Sequence, residues 1–478
     1  MDAQVDSYID HTRAFFDEKR AFFDAGSTLD PGFRRAMLGK LKLMLARHEE
    51  AILEALAADL GKPRFEAYSS ELAILYGEID EALKHLATWM RPERVKTPLV
   101  MMPSRSRVYR SPLGVVLIIG PWNYPFQLLL APLVGAMAAG NCAVLKPSDQ
   151  SPRCAELLAS MVAETYPPDY VSVVRGPGAS MGPELLQRYR FDHIFFTGSP
   201  GVGRKILELA APNLSPVTLE LGGKSPAIVA ADADLDVAAR RIVFGKFFNA
   251  GQSCVAPDYL IVERSVKDRM VALLRSALLE AYGSDPQASG SYARIINDKR
   301  FSALEGLLSQ GRILAGGRTD RRARYIEPTL MDDIEPDSPL LHEEIFGPIL
   351  PILEFDRPEE LVTIIRRNRN PLSLYLFTRS RELRRFVKRR IEFGGAAFNN
   401  CIAQLASPHL PFGGVGGSGM GSYHGRAGFE TFSHRSGILE SASRPDFAMR
   451  YPPYTSSKLA RVAVLLGGRA GIGRLPRK

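Results

Sequence analysis

The sequence predicts an α/β protein built around a parallel β-sheet. From residue 113 onward, short apolar runs alternate with stretches that have helical periodicity. Repeated strand–helix units of this kind form parallel sheets with helices on both faces. Turns rich in glycine, proline and small polar residues follow several of the apolar runs. Because ligands bind at the carboxyl ends of strands in such sheets, these turns predict a functional site.

Two segments precede the alternating region. Residues 33–60 predict one long helix, since apolar residues recur at mostly four-residue steps from Leu41 to Leu60 and Gly61 ends the pattern. In residues 95–111, valines and prolines are interleaved with lysines and arginines. This composition predicts an exposed hairpin arm.

The alternating region resolves into individual strands and helices. Strands are predicted at 115–119, 142–145, 171–174, 193–196 and 217–221, and helices at 126–139, 152–166 and 202–210. A second α/β stretch follows residue 222, with strands at 227–229, 259–262 and 374–377.

Composition excludes several classes of protein. A chain of 478 residues predicts two or three domains of roughly 150 residues each. Its four cysteines are too few for a disulfide framework, which suits a reducing, cytoplasmic compartment. The first residues lack the basic and apolar regions of a secretory signal, and no apolar run approaches the ~20 residues that span a bilayer. The net charge of +9 is scattered, without interleaved stacking aromatics, so no nucleic-acid binding is expected.

Cys254 and Glu220 are the strongest candidates for chemistry. Glu220 lies 34 residues before Cys254 and precedes a pair of glycines. A thiol and a carboxylate together suggest a nucleophile and a separate base. A lone cysteine is usually a small core hydrophobe. However, Gly251 to Ser253 suit a backbone that turns tightly beside a ligand.

The motifs along the chain resemble the aldehyde dehydrogenase superfamily over about residues 35–455. Besides the Glu220 and Cys254 runs, they are Pro121-Trp122-Asn123-Tyr124-Pro125, Leu145-Lys146-Pro147-Ser148, Phe196-Thr197-Gly198-Ser199, Glu343-Glu344-Ile345-Phe346-Gly347-Pro348 and Leu410-Pro411-Phe412-Gly413-Gly414-Val415-Gly416. The class 3 branch is indicated by Cys254-Val255-Ala256-Pro257-Asp258-Tyr259, Ser418-Gly419-Met420-Gly421-Ser422-Tyr423-His424-Gly425 and Arg450-Tyr451-Pro452-Pro453.

The resemblance implies that an aldehyde is oxidised to a carboxylic acid with NAD or NADP, without a metal. It makes Cys254 the nucleophile, in a site expected to be partly exposed, electropositive or pre-organised. It makes Asn123 an oxyanion donor together with the backbone N–H of Cys254. It makes Glu220 the base that activates water to hydrolyse the thioester. From propensity alone, Asn123 is equally a turn residue and Glu220 a solvent-facing strand end.

The resemblance also implies a cofactor site. Gly198, Ser199 and Gly203 resemble a pyrophosphate-binding turn at a helix N-terminus, which is a weak motif by itself. The other cofactor-binding residues that it implies are Trp122, Lys146 at the adenine-side ribose, Ser148, Asp149, Leu221, Glu344 at the nicotinamide ribose, and Phe346 beside the ring.

Three residues depart from the family pattern. Asp149 stands where a longer glutamate is common, which leaves the choice between NAD and NADP open. Ser253 replaces the more usual threonine and removes one methyl group from the pocket wall. Pro200 stiffens the turn after Ser199.

The resemblance further implies a domain organisation and a homodimer, in which the arm extends the sheet of a partner subunit. The predicted fold is that of aldehyde dehydrogenases, with a Rossmann-like parallel-sheet cofactor domain, an α/β catalytic domain and a small oligomerisation arm. The predicted ranges are 1–94 and 112–221 for dinucleotide binding, 222–421 for catalysis, 95–111 and 422–450 for oligomerisation and bridging, and 451–478 for a basic tail.

Two other functions stay open: a CoA-acylating dehydrogenase, and a non-catalytic binding protein on this fold. The substrate walls are predicted around Tyr124, Leu128, Phe247 and residues 401–405, for medium- or long-chain aliphatic or aromatic aldehydes. The tail at 457–478 has six basic residues and no acidic one. It predicts either a disordered or subunit-covering segment, or a weak contact with anionic lipid.

Overall fold

The structure is a computed structural model and describes residues 16–466. The chain forms two compact units. The larger unit contains the described residues up to Trp89 together with Pro112–Ser433, and the smaller unit contains Met90–Ser111 and the described residues from His434 onward.

A six-stranded sheet forms the first half of the larger unit. Its strands, in spatial order, are Gly419–Met420, Val217–Leu221, His193–Gly198, Val115–Ile119, Cys142–Lys146 and Val171–Val173. The short first strand is antiparallel to its neighbour, and the other five are parallel. The register pairs Glu220 with Thr197 and Ile119 with Lys146, so the predicted strand-end motifs lie at one edge. The predicted parallel sheet is confirmed.

The helices associated with this sheet include the three predicted after residue 113, each within two residues at its ends, and others that were not predicted. They are Gln127–Ala139, Pro152–Thr165, Gly178–Arg188 and Pro200–Ala210, preceded by Pro31–Arg47, Glu49–Leu60, Arg64–Ala67 and Ala73–Met90. The single helix predicted over 33–60 is wrong, because His48 leaves helical geometry at φ −107° and ψ 14°. Since Leu45 and Ile52 lie seven residues apart, their spacing gives no sign of this break. Gly61 ends the second helix at φ 58°, as predicted.

A seven-stranded sheet forms the second half of the same unit. Its strands, in spatial order, are Arg312–Ala315, Thr329–Asp332, Ile349–Phe355, Tyr259–Glu263, Pro226–Val229, Ser373–Phe377 and Gly395–Phe398. Only its first pair is antiparallel. The longer helices of this half are Leu235–Phe247, Lys267–Tyr282, Asp298–Leu307, Pro358–Arg366 and Arg381–Arg390. Two clusters of buried apolar residues include alternate residues of its central strands.

The smaller unit contains a three-stranded sheet of Glu93–Val95, Arg105–Pro112 and Ser433–Glu440. The first two strands are antiparallel and pair Glu93 with Val108, which confirms the predicted hairpin. The unit also contains the helix Ser456–Leu465. Within residues 16–466, no helix is both long enough and apolar enough to cross a membrane.

Candidate active site

Cys254 follows a turn with unusual backbone geometry. Asn249, Ala250 and Gly251 all have positive φ, at 54°, 51° and 73°. A side chain at Gly251 would collide with the carbonyl of Gly347, so this position requires glycine. Positive φ costs a non-glycine residue about 1–3 kcal/mol, and such strain persists only where surrounding contacts impose it. One of these contacts runs from the Asn249 N–H to a Glu66 carboxylate oxygen at 2.9 Å.

Cys254 lies where two cavities of the larger unit meet. One has a volume of about 200 Å³ and the other about 330 Å³, and Cys254 lines both. Its side chain is partly exposed, whereas the other three cysteines of the chain are buried. Of the four thiols, Cys254 is therefore the one that a small molecule can approach from two sides.

The smaller cavity has mainly apolar walls. The predicted wall residues that line it are Tyr124, Leu128, Ile402, Ala403 and Leu405. Of the other predicted wall positions, Phe247 and Cys401 are buried in the core beneath the second sheet, and Gln404 does not line the cavity. Phe244 and Phe248 line the cavity instead. They are four residues apart and therefore share a face of the helical turn, but only packing decides which face lines the cavity.

Glu220 is the penultimate residue of the strand Val217–Leu221 and lines the larger cavity. Its carboxylate is buried, and neither oxygen has a hydrogen-bond partner among the described residues. The solvent-facing alternative for Glu220 is therefore wrong. Burial raises the pKa of Glu220 well above its usual value, because a carboxylate without partners is poorly solvated. A carboxylate in this state is a stronger base than an exposed one.

Asn123 lies between the strand Val115–Ile119 and the helix Gln127–Ala139, and it also lines the larger cavity. Its side-chain amide donates a hydrogen bond of 3.0 Å to the main-chain carbonyl of Gln252. The contact joins the loop of Asn123 to the turn that carries Cys254. An amide nitrogen has two N–H groups, so one donor remains beyond this bond.

The Cys254 thiol is partly exposed, which is one of the three alternatives predicted for its site, but the charged groups that affect its pKa are carboxylates. Burial raises the pKa of Cys254, and the carboxylates of Glu344 and Glu220 raise it further. The backbone N–H groups of Cys254 and Val255 act in the opposite direction. These two carboxylates therefore oppose formation of the thiolate.

The larger cavity brings together six of the predicted cofactor residues with Cys254, Glu220 and Asn123. These six residues are Trp122, Gly198, Ser199, Leu221, Glu344 and Phe346. The rings of Trp122 and Phe346 meet edge to face, with centroids 5.4 Å apart. Sequence reasoning missed Arg300, which also lines this cavity. It follows the helix cap Asn297, and nothing in its local sequence pattern indicates a site.

The walls of this cavity fit a nicotinamide nucleotide. One Glu344 oxygen and the Arg300 Nε are buried and have no hydrogen-bond partner within the described residues. Burial raises the pKa of Glu344 to about 8. Buried polar atoms normally have partners, so these two suit a ligand with hydroxyl groups. A Cβ at Gly222 would collide with the Glu344 carboxylate, so glycine at this position leaves room for the carboxylate.

Four other predicted cofactor residues lie outside this cavity, at the carboxyl edge of the same sheet or just beyond it: Lys146, Ser148, Asp149 and Gly203. Lys146 is buried, which lowers its pKa, and its ammonium donates to the Pro147 carbonyl at 2.7 Å. Asp149 is exposed. Gly203 packs against Leu221, so it allows close approach of helix and strand.

The family model described as "Aldehyde dehydrogenase family" matches residues 3–437. The chain belongs to the aldehyde dehydrogenase family. It is 46% identical over 429 residues to the 4,4'-diaponeurosporen-aldehyde dehydrogenase of Staphylococcus aureus (strain NCTC 8325 / PS 47), an alignment that covers 89% of this chain and 93% of that protein. It is 43% identical over 432 residues to the dimeric NADP-preferring aldehyde dehydrogenase of Rattus norvegicus, with coverage of 90% and 95%.

A solved structure has the same fold. The substrate-bound state of Staphylococcus aureus AldH superimposes with a TM-score of 0.93 and 44% identity, covering 95% of this chain and 99% of the other. The predicted family and fold are confirmed. This aldehyde dehydrogenase oxidises aldehydes to carboxylic acids and uses NAD or NADP as its oxidant.

Proposed function

We propose that this enzyme oxidises aldehydes through a thioester on Cys254 and releases the acid by hydrolysis. The observation that carries the proposal is the position of Cys254 between an apolar cavity and the cavity lined by Glu344 and Phe346. An aldehyde in the first cavity and a nicotinamide ring in the second would meet at the thiol. The ring, when bound, supplies a hydride acceptor. The residues of the chain do the rest of the chemistry.

The first step is addition of the Cys254 thiolate to the carbonyl carbon. The carbon–sulfur bond forms as the carbonyl electron pair moves to oxygen, giving a tetrahedral thiohemiacetal oxyanion. The free N–H of the Asn123 amide and the backbone N–H of Cys254 stabilise this oxyanion. Loss of hydride from the carbon restores the carbonyl and leaves a thioester on Cys254.

Glu220 is the base for the second half of the reaction. Its buried carboxylate has no hydrogen-bond partner within residues 16–466 and lines the same cavity as the thiol. It takes a proton from water, the hydroxide adds to the thioester, and the carbon–sulfur bond breaks to release the acid and the thiolate. A base in this position favours hydrolysis over transfer of the acyl group to CoA. The non-catalytic alternative has less support, since the thiol, the carboxylate and the amide all line the larger cavity.

The substrate class follows from the apolar cavity. A dry cavity of about 150 Å³ accommodates benzene, and the cavity beside Cys254 holds about 200 Å³ between aromatic and aliphatic walls. We expect aromatic aldehydes and medium-chain aliphatic aldehydes as substrates, with longer chains extending out of the mouth.

The test is product analysis with a panel of aldehydes of both groups, with and without CoA. Free carboxylic acid at a rate independent of CoA is the expected result. An acyl-CoA product would assign the acylating alternative instead. Failure of every aldehyde to reduce the cofactor would revive the non-catalytic reading.

Three further proposals concern the whole molecule. The hairpin of the smaller unit supports a homodimer, which light scattering would measure. The free cysteines suit a cytoplasmic location, which cell fractionation would test.

The tail supports weak lipid contact, because Leu459, Val464 and Leu465 are exposed on its helix beside Lys458 and Arg461. The predicted tail beyond Leu466 lies outside the described residues.

Sedimentation with anionic vesicles tests the lipid contact by comparing the full chain with a version that ends at Ser456. Salt-sensitive pelleting of the full chain alone is expected. Equal pelleting of the two would remove any lipid role for the tail.

A further inference from the structure

A buried ion pair lies directly behind the loop that carries Asn123. The side chains of Lys62 and Glu71 are both fully buried, with 3.1 Å between the ammonium nitrogen and a carboxylate oxygen. Neither residue belongs to the strand-end motifs at the carboxyl edge of the first sheet. Lys62 follows the helix end at Gly61, and Glu71 lies in the π-helical turn Tyr68–Leu72. Single π-helical turns inside longer helices are frequent at functional sites.

Lys62 contacts the Asn123 loop at two points. Its ammonium donates a hydrogen bond of 2.9 Å to the main-chain carbonyl of Asn123. The same ammonium lies 4.2 Å from the centroid of the Tyr124 ring, which is the geometry of a cation–π contact. The ammonium of Lys62 therefore links Glu71 to the short segment that contains Asn123 and Tyr124.

Glu71 holds the other end of that segment. The carboxylate oxygen that does not face Lys62 accepts hydrogen bonds from the backbone N–H groups of Phe126 and Gln127, at 3.1 and 2.8 Å. These N–H groups open the helix Gln127–Ala139 and would otherwise lack partners. A carboxylate at this position satisfies them and complements the helix dipole.

A second group reaches the same carbonyl from the nucleophile turn. The side-chain amide of Asn249 donates to the Asn123 carbonyl at 3.1 Å and to the Gln252 carbonyl at 3.2 Å. The Asn123 carbonyl therefore has two donors, and the Asn123 amide is bonded to Gln252. Three hydrogen bonds therefore fix the main-chain carbonyl and the side-chain amide nitrogen of Asn123.

We infer that Lys62 and Glu71 are positioning residues that hold the Asn123 amide where the oxyanion forms, an inference that rests on the proposed role of Asn123. Stability alone does not explain the pair, since apolar side chains of similar volume stabilise a core as well or better than a buried ion pair. A shift of about 1 Å at a reacting group can cost about a hundredfold in rate. The pair acts by preventing such a shift.

The experiment measures the pre-steady-state burst of reduced cofactor in Lys62→Met, in the charge-neutral double variant Lys62→Met/Glu71→Gln, and in each of these combined with Asn123→Ala. We expect a burst slowed by about 10- to 100-fold in the wild-type background. In the Asn123→Ala background, the same substitutions should slow it by less than about 3-fold, because the interaction they protect is already lost. The dissociation constant of the cofactor should stay within about 2-fold of the wild-type value.

Arg34→Met is the matched control. Arg34 is also a buried cation, and it donates to the carbonyl of Ala138 at the far end of the helix that Glu71 caps. It should lower the thermal midpoint and leave the burst rate unchanged. The charge-neutral double variant guards against unfolding, since it leaves no unpaired charge in the core.

The outcomes distinguish the oxyanion role of Asn123 from the positioning role of Lys62 and Glu71. A normal burst in Asn123→Ala would overturn the oxyanion role itself and this inference with it. A slow burst in Asn123→Ala, together with unchanged rates in the Lys62 variants, would overturn only the positioning role. Effects of Lys62→Met that multiply in full with those of Asn123→Ala would do the same, because they would reflect general destabilisation.

Discussion

The side-chain amide of Asn123 and the main-chain carbonyl of Gln252 are joined by a hydrogen bond of 3.0 Å. Gln252 is itself anchored, since its side chain bonds the main chain of Asn249, Arg294 and Ile296. The bond therefore fixes the distance between the Asn123 loop and the turn that ends at Cys254. The two N–H groups proposed to stabilise the oxyanion, from Asn123 and Cys254, therefore lie on two segments that this hydrogen bond joins.

The first prediction concerns Asn123→Ala. Loss of one oxyanion donor should lower kcat/KM by about 10²- to 10³-fold. The affinity for the cofactor, measured by fluorescence titration, should change little, because Asn123 contributes only one side of that cavity. A kcat/KM within about 3-fold of wild type would be inconsistent with an oxyanion role, given the usual cost of losing such a donor.

The second prediction concerns Glu220→Gln. The variant should give a burst of reduced cofactor close to one equivalent per active site and then turn over slowly, because the base serves deacylation. In the wild type, turnover should rise with pH through the raised pKa of Glu220, since burial favours the neutral acid and only the carboxylate is a base. The variant should lose this rise. If the burst disappears as well, Glu220 also deprotonates the Cys254 thiol.

The third prediction concerns Asp149→Glu. Asp149 is exposed beyond the strand Cys142–Lys146, close to Gly178, whose Cβ would lie 3.8 Å from an Asp149 oxygen. We expect the native enzyme to use both NAD and NADP. The longer glutamate should shift the kcat/KM ratio toward NAD, because its carboxylate reaches nearer to a ribose 2′-phosphate and repels it. An unchanged ratio would remove Asp149 from cofactor selection.

The fourth prediction concerns stability and Glu66→Gln. Burial raises the pKa of Glu66 from 4.5 to about 7. The folded state therefore binds more protons than the unfolded state between these values, and stability falls as pH rises through this window. Glu66→Gln should not show this loss. Its free energy of unfolding relative to that of the wild type should therefore increase between pH 4 and pH 8 by on the order of 3 kcal/mol.

Urea unfolding of both proteins at the two pH values measures this difference. Glu54→Gln, at an exposed carboxylate on the helix Glu49–Leu60, is the control and should follow the wild type. Parallel pH dependence in wild type and Glu66→Gln would show that Glu66 is ionised in the fold at acidic pH.

The sequence was sufficient for the five parallel strands of the first sheet and for the strand ends that carry Asn123, Glu220 and Ser199, because short apolar runs and glycine-rich turns are local signals. It did not predict the short antiparallel strand Gly419–Met420. It was insufficient at His48, where one non-helical residue interrupts an otherwise continuous pattern. It misplaced Phe247, since only the packing of a helix decides which of its faces lines a cavity.

Long-range contacts were beyond local reasoning. Lys62, Glu71 and Arg300 are ordinary charged residues in sequence, and their importance comes from partners many positions away. Likewise, the pKa of the Cys254 thiol depends on Glu220 and Glu344, which the fold brings near it. Of the partly exposed, electropositive or pre-organised site that was predicted, the partial exposure of Cys254 is observed, and the two carboxylates oppose the electropositive alternative.

The measurement that tests the central claim most directly is the mass of the peptide that carries Cys254. Glu220→Gln enzyme is mixed with aldehyde and cofactor, quenched in acid during the burst, digested and compared with a sample that lacks cofactor. We predict an acyl adduct on Cys254 that requires the cofactor, together with a kcat for Cys254→Ala below about a hundredth of wild type. A full burst without an adduct, or with the adduct on Cys142, Cys154 or Cys401, would contradict the account.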